Sequence, residues 1–419
     1  MALDLARLQF ALTTSFHFLF VTLTLGLAPL VAIMHTRYVL TGKQIFERMT
    51  KFWGQIYVIN YALGIVVGLV LEFQFGLNWS GLAYFAGDVF GPPLAMETLT
   101  AFFIESTLLG VWIFGWGRLN KVVHLLAFWL VTITAYASAY WIMMANGFLQ
   151  NPVGHVISDG VARITDLGAL LTNPAGLNAL YHVVAGSLVA GGLFVGGVSA
   201  WHFLRRTEEV EFHRRSMRLG LIVFGLAAFM VVGLGYTQLD FLEGTQPLKY
   251  ASIWRGEDLN QLQAEMAAKY GPGDYIPPSW IGGAFTAMYI VGTLCEYLFW
   301  LPPLLLVRNF LERRRILLRI FVFLVPLPFI AMIGGWLVRE VGRQPWLVYG
   351  HLTVADAVGS VSTGVVLTSL ILFTATFAVL AVVDYLLIAR VARRGPDGVF
   401  LGTTLGRVLT PEGERTTTL

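Results

Sequence analysis

The chain has 419 residues, of which 56% are hydrophobic and only 13% are charged, and its formal net charge at pH 7 is +3. Soluble domains carry about 25% charged residues, so this composition excludes a soluble protein and indicates one that crosses a membrane repeatedly. The small net charge gives no reason to expect nucleic acid as a partner. The single cysteine, Cys295, excludes disulfides, zinc knuckles, iron–sulfur clusters and covalent haem attachment through a CxxCH motif.

Apolar runs of about 20 residues, long enough to cross a bilayer, occur nine times in the sequence. We predict spans at Leu12–Val31, Phe52–Leu71, Pro92–Trp116, Val122–Ala145, Leu177–Phe203, Leu219–Leu239, Trp280–Val307, Ile320–Val338 and Val361–Ile388. The first residues, MALDLARLQF, lack the basic region and the cleavage site of a secretory signal, so we expect no removable leader. Residues 1–394 are predicted to form one integral-membrane domain, followed by a polar tail, 395–419.

The distribution of Lys and Arg predicts an orientation for these spans. The connections after the first, third, fifth and seventh spans, together with the residues after the ninth, hold 21 of the 28 Lys and Arg residues. Basic residues mark cytoplasmic connections, so we predict the N-terminus outside and the C-terminal tail in the cytoplasm. The two longest connections, Asn146–Gly176 and Asp240–Ser279, are then external. The second of these has a short amphipathic stretch around Leu259–Lys269.

The third predicted span, Pro92–Trp116, carries two carboxylates in an otherwise uncharged apolar run. Glu97 and Glu105 are eight residues apart, which on an α-helix places them on one broad face and about 12 Å apart in depth. An ionisable residue inside a membrane span is costly and is by default a functional hypothesis. A position at the membrane boundary would explain Glu97 without a function, but it would not explain the deeper Glu105.

Further candidate ligands come near the predicted outer ends of other spans. With Glu97, they are His17, Glu72, His182, Met288 and Glu340. Singly, such a residue is most often part of the core, and Met is commonly core filler. Six at similar depth on separate helices indicate a cofactor site. Haem iron in helix bundles takes axial ligands from these residue types: a His–Met pair fills both axial positions, whereas a single ligand leaves one open for oxygen.

Six stretches of the sequence resemble subunit I of the cytochrome bd-type terminal oxidases. They are RLQFAL with FHFLFVTLTLG (Arg7–Gly26), GKQIFERMTKFWG (Gly42–Gly54), LEFQFGLNWS (Leu71–Ser80), GPPLAMETLTAFFIEST (Gly91–Thr107), ANGFLQNP (Ala145–Pro152) and GWLVREVGRQPW (Gly335–Trp346). The resemblance covers nearly the whole chain. It implies an all-α membrane protein in the prokaryotic cytoplasmic (inner) membrane, with nine transmembrane helices arranged as two four-helix bundles plus one peripheral helix.

The resemblance also implies which residues hold haem. His182 and Met288 match the axial ligands of a low-spin haem b. His17 and Glu340 match the ligands of two oxygen-side haems, a high-spin haem b and either haem d or a third haem b. Which of these two residues binds which haem stays open.

Other residues match positions around those haems. Glu97 matches a carboxylate beside the oxygen-reducing haem and is counted with the metal ligands, and Glu105 matches a carboxylate on the proton route from the cytoplasm. Trp336, Arg343 and Arg7 match residues of the haem pockets. Arg343 is placed to pair with a haem propionate.

Three positions depart from the family pattern around the low-spin haem and the quinol site. QPLK (Gln246–Lys249) keeps the lysine linked to quinol oxidation, but the glutamate five residues later is Trp254. Tyr236 stands where the family has an aspartate-type residue. Thr286 stands where the family has an arginine, two residues before the methionine ligand. Losing that positive charge is expected to lower the haem potential, which favours a low-potential naphthoquinol over ubiquinol. In the alternative interpretation, another carboxylate of the loop, such as Glu243, Glu257 or Asp258, replaces the glutamate that is missing at Trp254.

The resemblance implies an enzyme, a quinol:oxygen oxidoreductase that oxidises quinol at the outer face and reduces dioxygen to water with cytoplasmic protons. Its expected partners are a second membrane subunit, quinol, dioxygen and the lipid bilayer; a small single-helix subunit is left open. One alternative is the same oxygen-reducing fold with a non-quinol donor. The other is a proton-coupled secondary transporter with Glu97 and Glu105 as relays, which the lack of an internal repeat disfavours.

Overall fold

A computed structural model describes residues 1–254, 258–300, 307–359 and 361–402. Within these ranges nine helical segments are long and apolar enough to cross a membrane, as predicted. The helices are α1 Ala2–Thr41, α2 Gln44–Asn78, α3 Ser80–Thr98, α4 Ser106–Phe114, α5 Lys121–Gln150, α6 Leu167–Leu171, α7 Pro174–Leu204, α8 Val210–Thr245, α9 Pro247–Ile253, α10 Leu259–Tyr270, α11 Ile281–Leu298, α12 Arg315–Leu324, α13 Leu327–Val341, α14 Val354–Ala357 and α15 Thr363–Arg394. The third, fifth and eighth crossings each combine two helices: α3 with α4, α6 with α7, and α12 with α13.

Parts of three predictions lie outside the described residues. They are the end of the seventh span (residues 301–306), most of the tail (403–419) and the candidate base Glu257. The described start of the tail packs against α2, because the backbone N–H of Phe400 donates to the side chain of Gln55 at 2.7 Å.

The third crossing is not the continuous α-helix from which the spacing of its carboxylates was calculated. Residues Leu99–Glu105 form a π-helical segment between α3 and α4, and α3 is kinked at Ala86 (φ −124°, ψ 18°). π-Helical hydrogen bonds run from i to i+5, and such segments are rare and frequent at functional sites. The depth estimate of about 12 Å, which assumes α-helical rise, therefore does not apply to Glu97 and Glu105.

The predicted external connection Asp240–Ser279 is largely helical. The sixth crossing, α8, continues six residues beyond the predicted end of its span at Leu239 and ends at Thr245. Two short helices, α9 and α10, follow it. The bounds of α10 coincide with the amphipathic stretch predicted around Leu259–Lys269.

The described residues also form two small antiparallel hairpins and three short 3-10 helices, Val307–Asn309, Leu311–Arg313 and Pro396–Gly398. The first hairpin pairs β1 (His155–Ser158) with β2 (Val161–Ile164) in the connection after α5. The second pairs β3 (Trp346–Val348) with β4 (Leu352–Thr353) after α13, with an irregular register. Both lie in connections that the charge distribution predicts to be external.

The largest buried apolar cluster fills the half of the bundle next to the predicted cytoplasmic connections. Leu27 on α1, Trp53 on α2, Trp112 on α4 and Phe128 on α5 belong to it and are fully buried. Dense packing at this end leaves the larger cavities to the other half of the bundle, where the candidate ligands lie.

The glycine backbones of α1 and α7 touch where the two helices cross. A Cβ on Gly26 would collide with the carbonyl oxygen of Ser187 and lie 2.9 Å from the backbone nitrogen of Gly191. Small residues let membrane helices approach this closely. Because His17 is on α1 and His182 is on α7, this crossing sets how far apart the two histidines stand.

We expect Gly26→Ala to lower the Tm of the purified protein in detergent, because the added methyl group must push α1 away from α7. Overpacking of this kind costs about 1–3 kcal/mol. Gly110→Ala on α4 is the matched control, since a Cβ there would meet no atom within 4 Å, and its Tm should not fall. An unchanged Tm for Gly26→Ala would contradict the close crossing.

Candidate functional site

Three cavities adjoin one another between the helices, and Trp336 on α13 lines all of them. We name them the Met288 cavity, the Glu97 cavity and the Arg343 cavity after one residue in each. Including their open margins, they enclose about 1420, 1500 and 410 Å³. Phe18 on α1 stacks on Trp336, with ring centroids 5.1 Å apart, and lines both larger cavities. These two rings are therefore shared walls between the predicted haem sites.

The Met288 cavity brings together the predicted His–Met pair. His182 on α7 and Met288 on α11 both line it. By hydrogen-bond geometry Nδ1 of His182 has no partner in the described part of the chain, although the ring lies beside the backbone of Val231. A Cβ on Gly335 would come 2.6 Å from Sδ of Met288, so a side chain at this position would displace the thioether. An imidazole and a thioether facing one cavity are the donor set for a six-coordinate haem.

Cationic groups close one end of the Met288 cavity. Nζ of Lys249 on α9, which is 4% exposed, donates to the backbone carbonyl of Arg339 at 3.0 Å. Burial lowers the pKa of Lys249 well below its usual value, and the nearby guanidinium groups of Arg339 and Arg343 lower it further. The Glu340 carboxylate opposes them. Lys249 therefore gives up its proton at a lower pH than an exposed lysine does.

Arg339 also lines the Met288 cavity, and sequence analysis did not identify it as a site residue. Its guanidinium donates to Oδ1 of Asn146 at 2.6 Å. Its span was predicted to end at Val338, so Arg339 carried no signal of its own beyond directly preceding Glu340; the structure extends this crossing to Val341, and an arginine within a membrane span is a functional hypothesis. Asn146 lies in a distant part of the chain, and the fold alone makes it a partner.

The Glu97 cavity holds the second predicted histidine together with three carboxylates. His17, Glu72, Glu97 and Glu105 all line it. Nδ1 of His17 has no hydrogen-bond partner among the described residues. The hydroxyl of Ser138 on α5 donates to Glu97 at 2.9 Å. The predicted grouping of Glu97 and Glu105 on one face is thus retained despite the π-helical segment between them.

Glu105 is the most deeply buried of these carboxylates, with 2% of its surface exposed. The hydroxyl of Tyr57 on α2 donates to its Oε1 at 2.9 Å. Tyr61, one turn away, stacks on Tyr57 with ring centroids 6.1 Å apart and donates to the carbonyl of Ala101 in the π-helical segment. Sequence analysis missed both tyrosines, because in an apolar run they read as core residues.

The Arg343 cavity contains Glu340, which sequence analysis paired with His17 as ligands of the two oxygen-side haems. Its carboxylate accepts hydrogen bonds from Arg343 at 2.9 Å and from Asn146 at 2.7 Å. Arg7 lines the same cavity and lies 3.8 Å from Asp4. Nε and Nη1 of Arg343 and Nε of Arg7 are buried without a partner in the described part of the chain. Unpaired buried guanidinium nitrogens are costly and match a bound carboxylate such as a propionate.

Two of the three candidate bases near the predicted donor site, Glu243 and Asp258, do not line the Met288 cavity. Glu243 is exposed on α8, and Asp258 accepts from the backbone N–H of Asn260 as the cap of α10. The hydroxyl of Thr286 turns back to its own helix and donates to the carbonyl of Gly282. The described lining of the Met288 cavity contains no carboxylate.

The donor groups present fit haem iron. Each large cavity offers an imidazole whose Nδ1 is unpaired, one adds a thioether, and the Arg343 cavity offers unpaired guanidinium nitrogens. Among the described residues no three His, Cys, Asp or Glu side chains converge as a site for a bare metal ion would require. One or two protein ligands per site match an iron whose other ligands come from a porphyrin.

Comparison with known proteins gives consistent matches over almost the full length of the chain. The family model described as cytochrome bd terminal oxidase subunit I matches residues 5–268 and 255–396. Cytochrome bd ubiquinol oxidase subunit 1 of Bacillus subtilis (strain 168) is 39% identical, over 94% of this chain and 94% of that protein. Cytochrome bd-II ubiquinol oxidase subunit 1 of Escherichia coli (strain K12) is 31% identical, over 95% and 97% respectively. A chain of the bd oxidase from Geobacillus thermodenitrificans matches with a TM-score of 0.84 and 25% identity, over 94% of this chain and 99% of that one.

Proposed function

The chain belongs to the cytochrome bd terminal oxidase subunit I family, and from this premise we propose where its electrons and protons enter. As a family member it is a multi-pass membrane subunit of a respiratory quinol oxidase, it takes haem, and it works with a partner subunit. The proton-coupled transporter considered from the sequence is therefore set aside.

The proposed orientation places the N-terminus outside and the C-terminus inside the prokaryotic cytoplasmic membrane. The concentration of Lys and Arg on alternate connections supports it. The nine crossings are proposed to form two four-helix bundles plus one peripheral helix. A second membrane subunit is the proposed partner, and a small single-helix subunit stays a prediction.

Haem assignments rest on the donor groups of the three cavities. We assign His182 and Met288 as the axial ligands of a low-spin haem b. His17 and Glu340 are assigned to two oxygen-side haems, a high-spin haem b and either haem d or a third haem b. Bound haem iron supplies one-electron transfer and the place where dioxygen is reduced. The observation that carries the proposal is an imidazole–thioether pair in one cavity and an imidazole with buried carboxylates in the adjoining one.

The carboxylates of the Glu97 cavity are proposed to deliver protons. Glu105 lies nearer the predicted cytoplasmic end, and the Tyr57 hydroxyl holds its carboxyl group in place. Glu97 receives the proton farther along the cavity, where Ser138 orients it. Glu97 is also a proposed metal ligand beside His17. Protons taken from the cytoplasm and electrons taken from outside separate charge across the membrane without a pump.

The donor is proposed to be a quinol that Lys249 contacts from the end of the Met288 cavity. We expect Lys249→Ala to lower quinol-driven oxygen consumption by the purified complex at least about tenfold, because one lost hydrogen bond to a bound group is worth about 1.4 kcal/mol or more. A panel of reduced quinols is the assay, and an artificial one-electron donor is the reference.

Lys269→Ala serves as the matched control, because Lys269 is an exposed lysine on α10 in the same connection. Its quinol-driven rate should equal that of the unmodified complex. Unchanged quinol turnover in Lys249→Ala would contradict the role of this lysine. Failure of every quinol, while the artificial donor still drives oxygen reduction, would instead favour a non-quinol donor on the same fold.

A further inference from the structure

Three arginines at the start of the eighth crossing carry positive charge that no acidic side chain neutralises. Arg313 ends the 3-10 helix Leu311–Arg313, and Arg315 and Arg319 stand one turn apart on α12. All three are exposed, and none of them forms an ion pair with another described residue. One helical turn is about 6 Å long, so these residues, which we name the arginine patch, concentrate their charge.

The carboxylate closest in sequence to the arginine patch, that of Glu312, is already bound to another arginine. Arg214 on α8 donates to its two oxygens, from Nε at 2.7 Å and from Nη2 at 2.8 Å. Nη2 of Arg218, one turn farther along α8, donates to Oδ1 of Asn309 at 2.7 Å. Bidentate arginine–carboxylate pairs are strong and geometrically specific. These bonds fix the connection before α12 against α8 and leave the arginine patch positively charged.

Exposed apolar side chains continue from the arginine patch along the same face of α12. Ile316, Ile320 and Phe323 follow the two arginines of this helix at helical spacing, and Ile316 and Phe323 are 71% and 75% exposed. The opposite face of α12 is buried through Leu318, Phe321 and Leu324. The exposed face therefore runs about 12 Å along the axis, with cations at its start and hydrocarbon beyond them.

This order of charge and hydrocarbon matches an anionic phospholipid. Clusters of basic residues beside a membrane-embedded helix bind anionic lipid headgroups, and guanidinium groups pair with phosphate oxygens in bidentate geometry. A zwitterionic choline lipid would bring a cation of its own toward the arginines. A soluble phosphate would meet the cations but leave the apolar side chains without a partner.

We propose that the exposed face of α12 binds an anionic phospholipid of the adjacent leaflet. The lipid phosphate pairs with the guanidinium groups of Arg315 and Arg319, and Arg313 adds positive charge beside it. The acyl chains lie along Ile316, Ile320 and Phe323. The net negative charge of the headgroup decides which lipid binds. Such a site is independent of the proposed electron and proton routes.

The first test measures lipid binding to the purified complex in detergent. The probes are phosphatidylglycerol and phosphatidylcholine with the same fluorescent acyl chain, and the readout is fluorescence anisotropy. We expect phosphatidylglycerol to bind at least about tenfold more tightly. One basic residue strengthens binding to anionic lipid about fivefold. Arg315→Gln combined with Arg319→Gln should therefore weaken phosphatidylglycerol binding about twenty-fivefold and leave phosphatidylcholine binding unchanged.

Two sets of variants separate the arginine patch from positive charge in general. Arg205→Gln combined with Arg206→Gln is the matched control, because it removes an equally exposed pair after α7, where no large exposed apolar side chain of the described helix lies near. Its lipid binding should equal that of the unmodified complex. Arg315→Lys combined with Arg319→Lys keeps both charges and should retain most of the affinity.

The second test identifies where the lipid lies. A phosphatidylglycerol with a diazirine in one acyl chain is photolysed with the complex, and the labelled peptides are mapped by mass spectrometry. We expect labelling of α12 that excess phosphatidylglycerol suppresses more than phosphatidylcholine does. The paired glutamine variant should weaken this labelling, whereas millimolar glycerol 3-phosphate should not, because it lacks acyl chains.

Four results would overturn the proposal. They are equal affinity for the two lipids, unchanged phosphatidylglycerol binding in the paired glutamine variant, the same loss of both lipids in that variant, and displacement of the lipid by glycerol 3-phosphate. The third would mean altered packing rather than lost charge pairing, and the fourth would assign the arginine patch to a soluble phosphate. Absence of label from α12 in the complex would likewise overturn it, since a protein partner would then cover this face.

Discussion

Glu105→Ala is expected to retain its full haem content while oxygen consumption falls about a hundredfold, the lower end of the range for losing a positioned proton-transfer group. Glu105 is buried between the packed end of the bundle and the Glu97 cavity, and its one hydrogen bond from a described side chain is that of Tyr57. Alanine cannot carry a proton across that gap. The measurement is turnover with saturating donor, beside the haem content from the absorption spectrum of the same preparation.

Three further variants make this result specific to proton delivery. Glu105→Asp keeps a carboxyl group and should lose less activity than Glu105→Ala. Tyr57→Phe removes the orienting hydroxyl and should fall between the two. Asp384→Asn is the matched control, because Asp384 is a buried carboxyl on α15 that lines none of the three cavities. Full activity in Glu105→Ala would remove Glu105 from the proton route.

His182→Ala and Met288→Leu are each expected to remove one low-spin, six-coordinate haem or to convert it to a five-coordinate form. Both residues line one cavity from different helices, and no other described side chain places an imidazole there. Loss of either axial ligand leaves a coordination position that Leu or Ala cannot fill. The check is the reduced-minus-oxidised spectrum of each purified variant, in which oxygen-side bands should persist.

Met332→Leu is the control for the methionine. Met332 on α13 lines the same cavity, and a Cβ on Gly186 would collide with its Sδ. We expect its spectrum to match that of the unmodified complex. An unaltered low-spin band in both His182→Ala and Met288→Leu would refute the assignment, and loss of that band in Met332→Leu would transfer the role of axial ligand to Met332.

Glu340 illustrates how far sequence reasoning reaches and where it stops. The GWLVREVGRQPW stretch predicted a cofactor role for its glutamate and for Arg343, and the structure places both in one cavity. The hydrogen bond from Asn146 joins residues 194 positions apart. The third cavity that holds Glu340, separate from those of His17 and His182, could not be read from residue spacing.

The two carboxylates of the third crossing also separate what the sequence predicts from what only the fold determines. Their presence in an apolar run identified them as functional candidates, because a charged group within a membrane is costly wherever its helix packs. The π-helical segment between them and the Tyr57 hydroxyl on Glu105 were not predicted. The hydrogen bond depends on the neighbouring α2, which meets this crossing only in the folded bundle.

Local composition by itself determined the nine crossings and the candidate ligands, because hydrophobicity and charge over about 20 residues decide which segments enter a bilayer. Tertiary structure alone decided how the ligands are divided among three cavities, the close α1–α7 crossing at Gly26, and the contact between the rings of Tyr236 and Trp254, whose centroids lie 5.9 Å apart. Tyr236 and Trp254 appeared in the sequence only as the loss of two carboxylates. They meet because α8, α9 and α11 pack together, and side-chain contacts between segments distant in sequence are set by that packing rather than by the pattern of any one segment.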